Sequence, residues 1–153
     1  MNYTEIITEF YNNFSEGNAQ GMTQYYHKDI VFNDPIFGTL KKERAFKMWE
    51  MLLSKKSEHT TISFDNIIEK EGFITVNWTA TYLFGPQQRK VVNNVLATFR
   101  FQENKIIEHS DSFDLWKWTR QALGTSGYLM GWSSFMQKKI QHKMELQLDD
   151  FIK

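Results

Sequence analysis

Within the run KIIEHSDSFDLW, His109 and Asp111 stand two residues apart, and both types exchange protons near neutral pH once water is kept from them. The run alternates like a strand, which puts Ile107, His109, Asp111 and Phe113 on one face and Ile106, Glu108, Ser110 and Ser112 on the other. A carboxylate beside a histidine among aromatics is an acid/base pair in which the histidine orients its partner or shares its proton. The plainer alternative is a satisfied polar pair at a rim, bonded to backbone or to Ser110 and Ser112. Asp34 is a second carboxylate, held out of helical geometry by Pro35. It could act with Asp111, or simply cap the turn that ends at Gly38.

Composition narrows what such residues could serve. The chain has 153 residues and no cysteine, which excludes disulfides, thiolate metal sites and a cysteine nucleophile. Its 18 Lys and Arg equal its 18 Asp and Glu, so no one-sided basic footprint points to nucleic acid or an anionic membrane. No stretch reaches the ~20 apolar residues of a membrane span, and the first ten residues carry no basic leader, so a cytoplasmic protein is expected. His27, His59 and His142 lack ligand spacing, and neither a metal nor a cofactor is expected. Aromatics are the outlier at 16% of residues. Rings in that number predict a cavity or an oligomer interface, with a hydrophobic small molecule as the expected ligand or substrate.

The elements that must position these groups come in two blocks. Residues 4–15 carry apolar side chains at helical spacing and stop at Gly17-Asn18, and residues 19–27 predict a short second helix with Met22, Tyr25 and Tyr26 inward. A short strand at 30–33 and a turn at 36–39 lead to a third helix over 40–54, with Ala45, Phe46, Trp49, Leu52 and Leu53 on one side. From residue 60 the period becomes two: strands are predicted at 60–70, 73–84, 88–103 and 105–114, joined by turns tight enough for an antiparallel meander. Residues 115–123 could extend the last strand or start a helix. Trp116, Trp118 and Trp132 read as packing or an oligomer contact ahead of a lid. The expected organisation is one domain, 1–153, with 133–153 as a terminal amphipathic helix. Helices first and an antiparallel sheet afterwards is an α+β layout.

Four segments carry a family resemblance: Phe14-Ser15-Glu16-Gly17-Asn18, Val31-Phe32-Asn33-Asp34-Pro35, Ala97-Thr98-Phe99-Arg100-Phe101 and His109-Ser110-Asp111-Ser112-Phe113-Asp114. Together they resemble the nuclear transport factor 2-like superfamily, in its branch of ketosteroid isomerases, SnoaL-type polyketide cyclases and limonene epoxide hydrolases. The resemblance covers residues 6–118. It implies a cone, a strongly bent sheet wrapped on three helices with an apolar pocket, commonly paired as a homodimer. It makes Asp34 similar to the isomerase base, but the positions of that enzyme's oxyanion donors hold Phe10 and Ala97. Tyr11 is one residue off, about 100° around the helix, and does not replace the donor. Asp111 is similar to the aspartate of the cyclases and hydrolases, while the hydrolase's arginine and second aspartate fall at Trp78 and Ala80.

The resulting expectation has Asp111, His109 and Asp34 as catalytic groups, with Trp49, Trp78, Tyr82, Phe99 and Phe113 as walls. The activity would be isomerisation, cyclisation or hydration of an apolar substrate without a cofactor. A non-catalytic binder of a hydrophobic molecule and a dimeric scaffold are the alternatives.

Overall fold

The structure is a computed structural model that describes residues 1–131 and 133–153. Trp132, one of the three tryptophans considered for packing or a lid, lies outside the described residues.

Helix α1 (Tyr3–Ser15) starts where the sequence supplies a reciprocal cap: Asn2 Oδ1 accepts from Glu5 N at 2.8 Å, and Glu5 Oε2 accepts from Asn2 N at 3.0 Å. Its buried stripe is Ile6, Ile7, Phe10, Tyr11 and Phe14. Helix α2 (Ala19–Thr23) is shorter than the periodicity suggests. Tyr26 and His27 belong instead to strand β1 (Tyr26–Asp34), because β1 runs parallel to the distant β6 (Lys105–Ser112), with Tyr26 opposite Ile106 and Ile106 N donating to Tyr25 O at 2.8 Å. Long-range pairing there overrides local helical preference.

Strand β2 (Gly38–Lys41) takes residues assigned above to a turn and a helix start, and α3 (Glu43–Ser54) begins only after it. The β1–β2 connection is closed by Asp34, whose Oδ1 accepts from Ile36 N at 3.0 Å and Phe37 N at 2.6 Å, and by Gly38 at φ 68°. Strands β3 (Thr61–Lys70), β4 (Phe73–Phe84), β5 (Arg89–Gln102) and β6 form the expected antiparallel meander. The six strands are ordered β2-β1-β6-β5-β4-β3 in one curved, open sheet.

The concave side of the sheet holds α1 and α3, and the core there is aromatic: Phe10, Tyr11, Phe32 and Phe99 are each at most 1% exposed. Burying one such ring contributes roughly 1.5–3 kcal/mol, so this layer dominates the stability of the fold.

Past β6 the chain turns helical at Asp114, whose carboxylate accepts from Lys117 N at 3.1 Å and caps α4 (Leu115–Leu123). Short α5 (Thr125–Met130) and long α6 (Ser134–Ile152) follow. Trp118 on α4 donates to Tyr82 Oη on β4 at 2.7 Å. On α6, Ile140, Met144 and Leu148 are buried, Gln141 Nε2 donates to Pro35 O at 3.1 Å, and Arg44 pairs with Asp149 at 2.8 Å. The terminal helix therefore packs beside α3 and the Asp34 turn.

Candidate functional site

Strand β6 delivers His109 and Asp111 inward at 1% and 4% exposure, with Ser110 and Ser112 exposed on the other face. The alternation is not uniform along the strand. The β5–β6 register shifts between Arg100 and Phe101, which pair with Glu108 and Ile106, so Ile107 is the extra residue and Ile106, expected outward, is fully buried.

His109 Nε2 lies 2.9 Å from Asp111 Oδ1, and Trp78 Nε1 donates to the same oxygen at 3.3 Å. On the other side of the ring, His109 Nδ1 is 2.7 Å from Tyr26 Oη, and Trp49 Nε1 donates to that hydroxyl at 2.8 Å. Five side chains from α3, β1, β4 and β6 thus form one buried chain. Phe99 stacks on the imidazole at 4.3 Å between centroids, Trp49 lies parallel to it at 6.0 Å, and Phe10 and Phe32 meet it edge-on at 5.6 and 5.1 Å.

The hydrogens in this chain can be assigned by counting donors and acceptors. Tyr26 Oη already accepts from Trp49, and its own hydrogen has one acceptor in reach, His109 Nδ1. That leaves Nε2 as the protonated nitrogen of a neutral imidazole, donating to an Asp111 carboxylate. Any other arrangement strands the Tyr26 hydrogen in a dry core, at a cost of about 1–3 kcal/mol. Burial pushes the Tyr26 phenol well above the ordinary tyrosine range, so the hydroxyl remains a donor.

Asp111 is held asymmetrically. Oδ1 takes both hydrogen bonds, while Oδ2 has no partner among the described residues and is not among the fully enclosed orphan atoms. Ala97, directly opposite on β5, offers no donor.

Asp34 is half-buried at the end of β1. Burial raises its carboxyl to about 7, with the Asp111 charge adding to the rise and the Phe37 and Ile36 amides opposing it. Tyr82 is half-buried, and burial pushes it up to about 12, with the Trp118 hydrogen bond opposing and Asp34 adding. Asp34, Asp111 and Tyr82 are thus electrostatically coupled. Phe113, just past β6, is half-buried against the core.

Two participants escape the sequence reading. Tyr26 is assigned there to a helix, and its partner lies 83 residues away. Tyr11 is set aside there, yet α1 buries Phe10 and Tyr11 equally at 0%. Its ring stacks on Phe64 at 5.1 Å and approaches Trp78 at 6.3 Å, and its hydroxyl is enclosed without a partner among the described residues. Burial, then the charges of Asp111 and Tyr26, raise that phenol well above its ordinary range. The signal available in the sequence was a polar-tipped ring on an otherwise apolar stripe.

Recesses of about 320 and 280 Å³ are present, and neither is lined by His109, Asp111 or Asp34. One is bounded by Lys28, Glu43, Phe46, Lys47 and Glu50, the other by Asn77, Trp78, Leu96 and Ser112 with their neighbours on the sheet. Among the described residues, no group of three His, Asp or Glu side chains is placed to hold a metal ion.

Residues 7–109 match the SnoaL-like domain. The chain belongs to that family. No curated protein matches this SnoaL-like chain in sequence. Its solved structural relatives share the nuclear transport factor 2 and ketosteroid isomerase-like fold. One, from Catenulispora acidiphila, has a ketosteroid isomerase-like fold and is in complex with trimethylamine: 13% identity, TM-score 0.65, covering 77% of this chain and 92% of that one. A second is SalBIII, an epoxide hydrolase/cyclase-like enzyme of pyran ring formation in the polyether salinomycin: 16% identity, TM-score 0.64, 73% and 90% covered. A third is TerC, co-crystallised with polyporic acid: 16% identity, TM-score 0.62, 72% and 90% covered. The SnoaL-like match stops at His109, two residues short of Asp111.

Proposed function

We propose that the protein is a cofactor-independent enzyme that moves a proton on an apolar, carbonyl-bearing small molecule, in a reaction of isomerase, cyclase or hydrolase type. The observation that carries this reading is the asymmetric Asp111 carboxylate: Oδ1 fixed by His109 and Trp78, Oδ2 uncommitted. In this reading Oδ2 is the base and takes a proton from the carbon beside the carbonyl, so the negative charge passes from carboxylate to enolate. His109, kept neutral by Tyr26, orients Asp111 without adding a charge. Tyr11 supplies an enclosed hydroxyl that Phe10 and Ala97 cannot; a donor aimed at a developing oxyanion lowers a barrier by about 2.7–4 kcal/mol. Asp34, near half protonation at neutral pH, is the second carboxyl: its protonated form delivers a proton to the enolate, and the proton held on Asp111 then passes through solvent to the Asp34 carboxylate, restoring both groups. Trp49, Trp78, Tyr82, Phe99 and Phe113 shape the apolar surroundings. SalBIII, described as epoxide hydrolase/cyclase-like, supports a reaction of this general kind.

The assay is deuterium incorporation next to the carbonyl of a panel of apolar ketones in D2O, followed by NMR. Exchange with the wild-type protein and its loss in Asp111→Asn support the reading; exchange that persists in Asp111→Asn contradicts it.

The close ring packing around His109 favours a second reading, a dimeric scaffold with its pocket filled by side chains, while the apolar residues Phe10, Ala97, Trp78 and Ala80 at the oxyanion and relay positions favour a non-catalytic holder of a hydrophobic ligand. An apolar molecule released unchanged in native mass spectrometry, with no ketone exchanged, would decide for it. A homodimer through the outer sheet face, where Leu96 is 48% and Ile68 45% exposed, is the assembly we propose, and sedimentation tests it.

A further inference from the structure

Large apolar side chains are exposed on the helices after the sheet, as they also are at Leu146, Phe151 and Ile152 farther along α6. Tyr128, Leu129 and Met130 on α5 are 60, 62 and 46% exposed, Phe135 at the start of α6 is 67% exposed, and Trp116 on α4 is 38% exposed. Isolated exposed apolar residues are ordinary, but here five fall within twenty residues of sequence. The charges are uneven. Residues 115–143 contain Lys117, Arg120, Lys138, Lys139 and Lys143 and no acidic residue, whereas the remainder has thirteen basic and eighteen acidic residues. A balanced total therefore conceals a basic segment.

On α4 and α5 a cation, two rings and a backbone carbonyl are in direct contact. The Arg120 guanidinium sits 4.5 Å from the centre of the Trp116 ring, and Trp116 Nε1 donates to Tyr128 O at 3.3 Å. On α6 the buried stripe is Ile140, Met144 and Leu148. At about 100° per residue, Phe135, Lys138, Lys139 and His142 lie on the opposite arc. Farther along, the same helix turns acidic at Glu145, Asp149 and Asp150, so the basic character is confined to its first turns.

We propose that this corner, formed by α4, α5 and the first turns of α6, docks on an anionic phospholipid surface, with Tyr128, Leu129, Met130 and Phe135 entering the headgroup region and the lysines facing lipid phosphates. Aromatic and aliphatic side chains beside basic ones are the requirement for interfacial binding. A second copy fits less well, since a two-fold contact through this corner would bring its five cations against the same five. Single-stranded nucleic acid would use the rings and cations but leave Leu129 and Met130 without a role. The corner also lies beyond residues 7–109, so it is a property of this chain outside the family match.

The test is flotation of the full-length protein with phosphatidylcholine vesicles, with and without phosphatidylserine. Binding is expected on the anionic vesicles, much weaker on the neutral ones, and reduced by added salt as screening shortens. The double substitution Lys138→Gln/Lys139→Gln should weaken binding roughly thirtyfold, and Phe135→Ser should also weaken it. Both sites are exposed, and the salt dependence is read on the wild-type protein whatever the variants do. The proposal is overturned by any of four results: no partition, equal partition on the two vesicle types, displacement of vesicles by single-stranded DNA at low stoichiometry, or a dimer that Phe135→Ser abolishes.

Discussion

His109 Nδ1 and Tyr26 Oη lie 2.7 Å apart, and because Trp49 Nε1 already donates to that oxygen at 2.8 Å, the tyrosine hydrogen points at the imidazole. This contact makes the histidine a fixed, neutral donor to Asp111.

Tyr26→Phe removes the donor and strands both Trp49 Nε1–H and His109 Nδ1 in the core. A loss of about 1–3 kcal/mol is expected in chemical unfolding. The separate signature is in 15N NMR: His109 should be protonated on Nε2 alone in the wild type and should lose that single tautomer in the variant. An unchanged histidine spectrum would disconnect Tyr26 from the site.

Asp34 sets a pH dependence. Its carboxyl titrates at about 7 in the folded protein against an ordinary 3.8, so the folded state binds the proton more tightly than the unfolded chain. Stability contributed by this group is then complete below pH ~4, falls as pH rises toward 7, and stays low above it. Asp34→Asn retains an oxygen for the Ile36 and Phe37 amides and removes the charge. Its melting temperature should exceed that of the wild type at pH 8 and match it at pH 4. Equal curves across that range would contradict the burial of this carboxyl.

The terminal helix is part of the fold. Leu148 on α6 is fully buried, and Leu148→Ala should cost about 2–5 kcal/mol. By contrast, Arg44→Ala, which breaks an exposed pair with Asp149, should cost under about 1 kcal/mol, and less in high salt. Urea titrations of both variants compare the two.

The four long strands were legible because their alternation is nearly unbroken and their turns are short, and His109 and Asp111 were legible for the same reason. Tyr26 was not, since the burial of Tyr26 and His27 side by side does not alternate and the parallel pairing with β6 comes from a strand far along the chain. Tyr11 fell on the buried stripe of α1 as expected, and was set aside as a donor only because it stands one residue from the position the family resemblance implies. The helix after β6 had a readable cap in Asp114, but strand continuation satisfied the same pattern until the carboxylate was seen bonded to Lys117 N. The family resemblance supplied the cone, and periodicity alone would have stopped at an α+β layout.

In the proposed reaction the uncommitted oxygen of Asp111 is the base. Asp111→Asn keeps the Trp78 acceptor and the fold while removing that base, and ketone deuteration in D2O reads the difference directly. The expected result is exchange by the wild type that falls at least about a hundredfold in the variant, with melting temperatures within a few degrees. Exchange by the variant at the wild-type rate would contradict the assignment of Asp111.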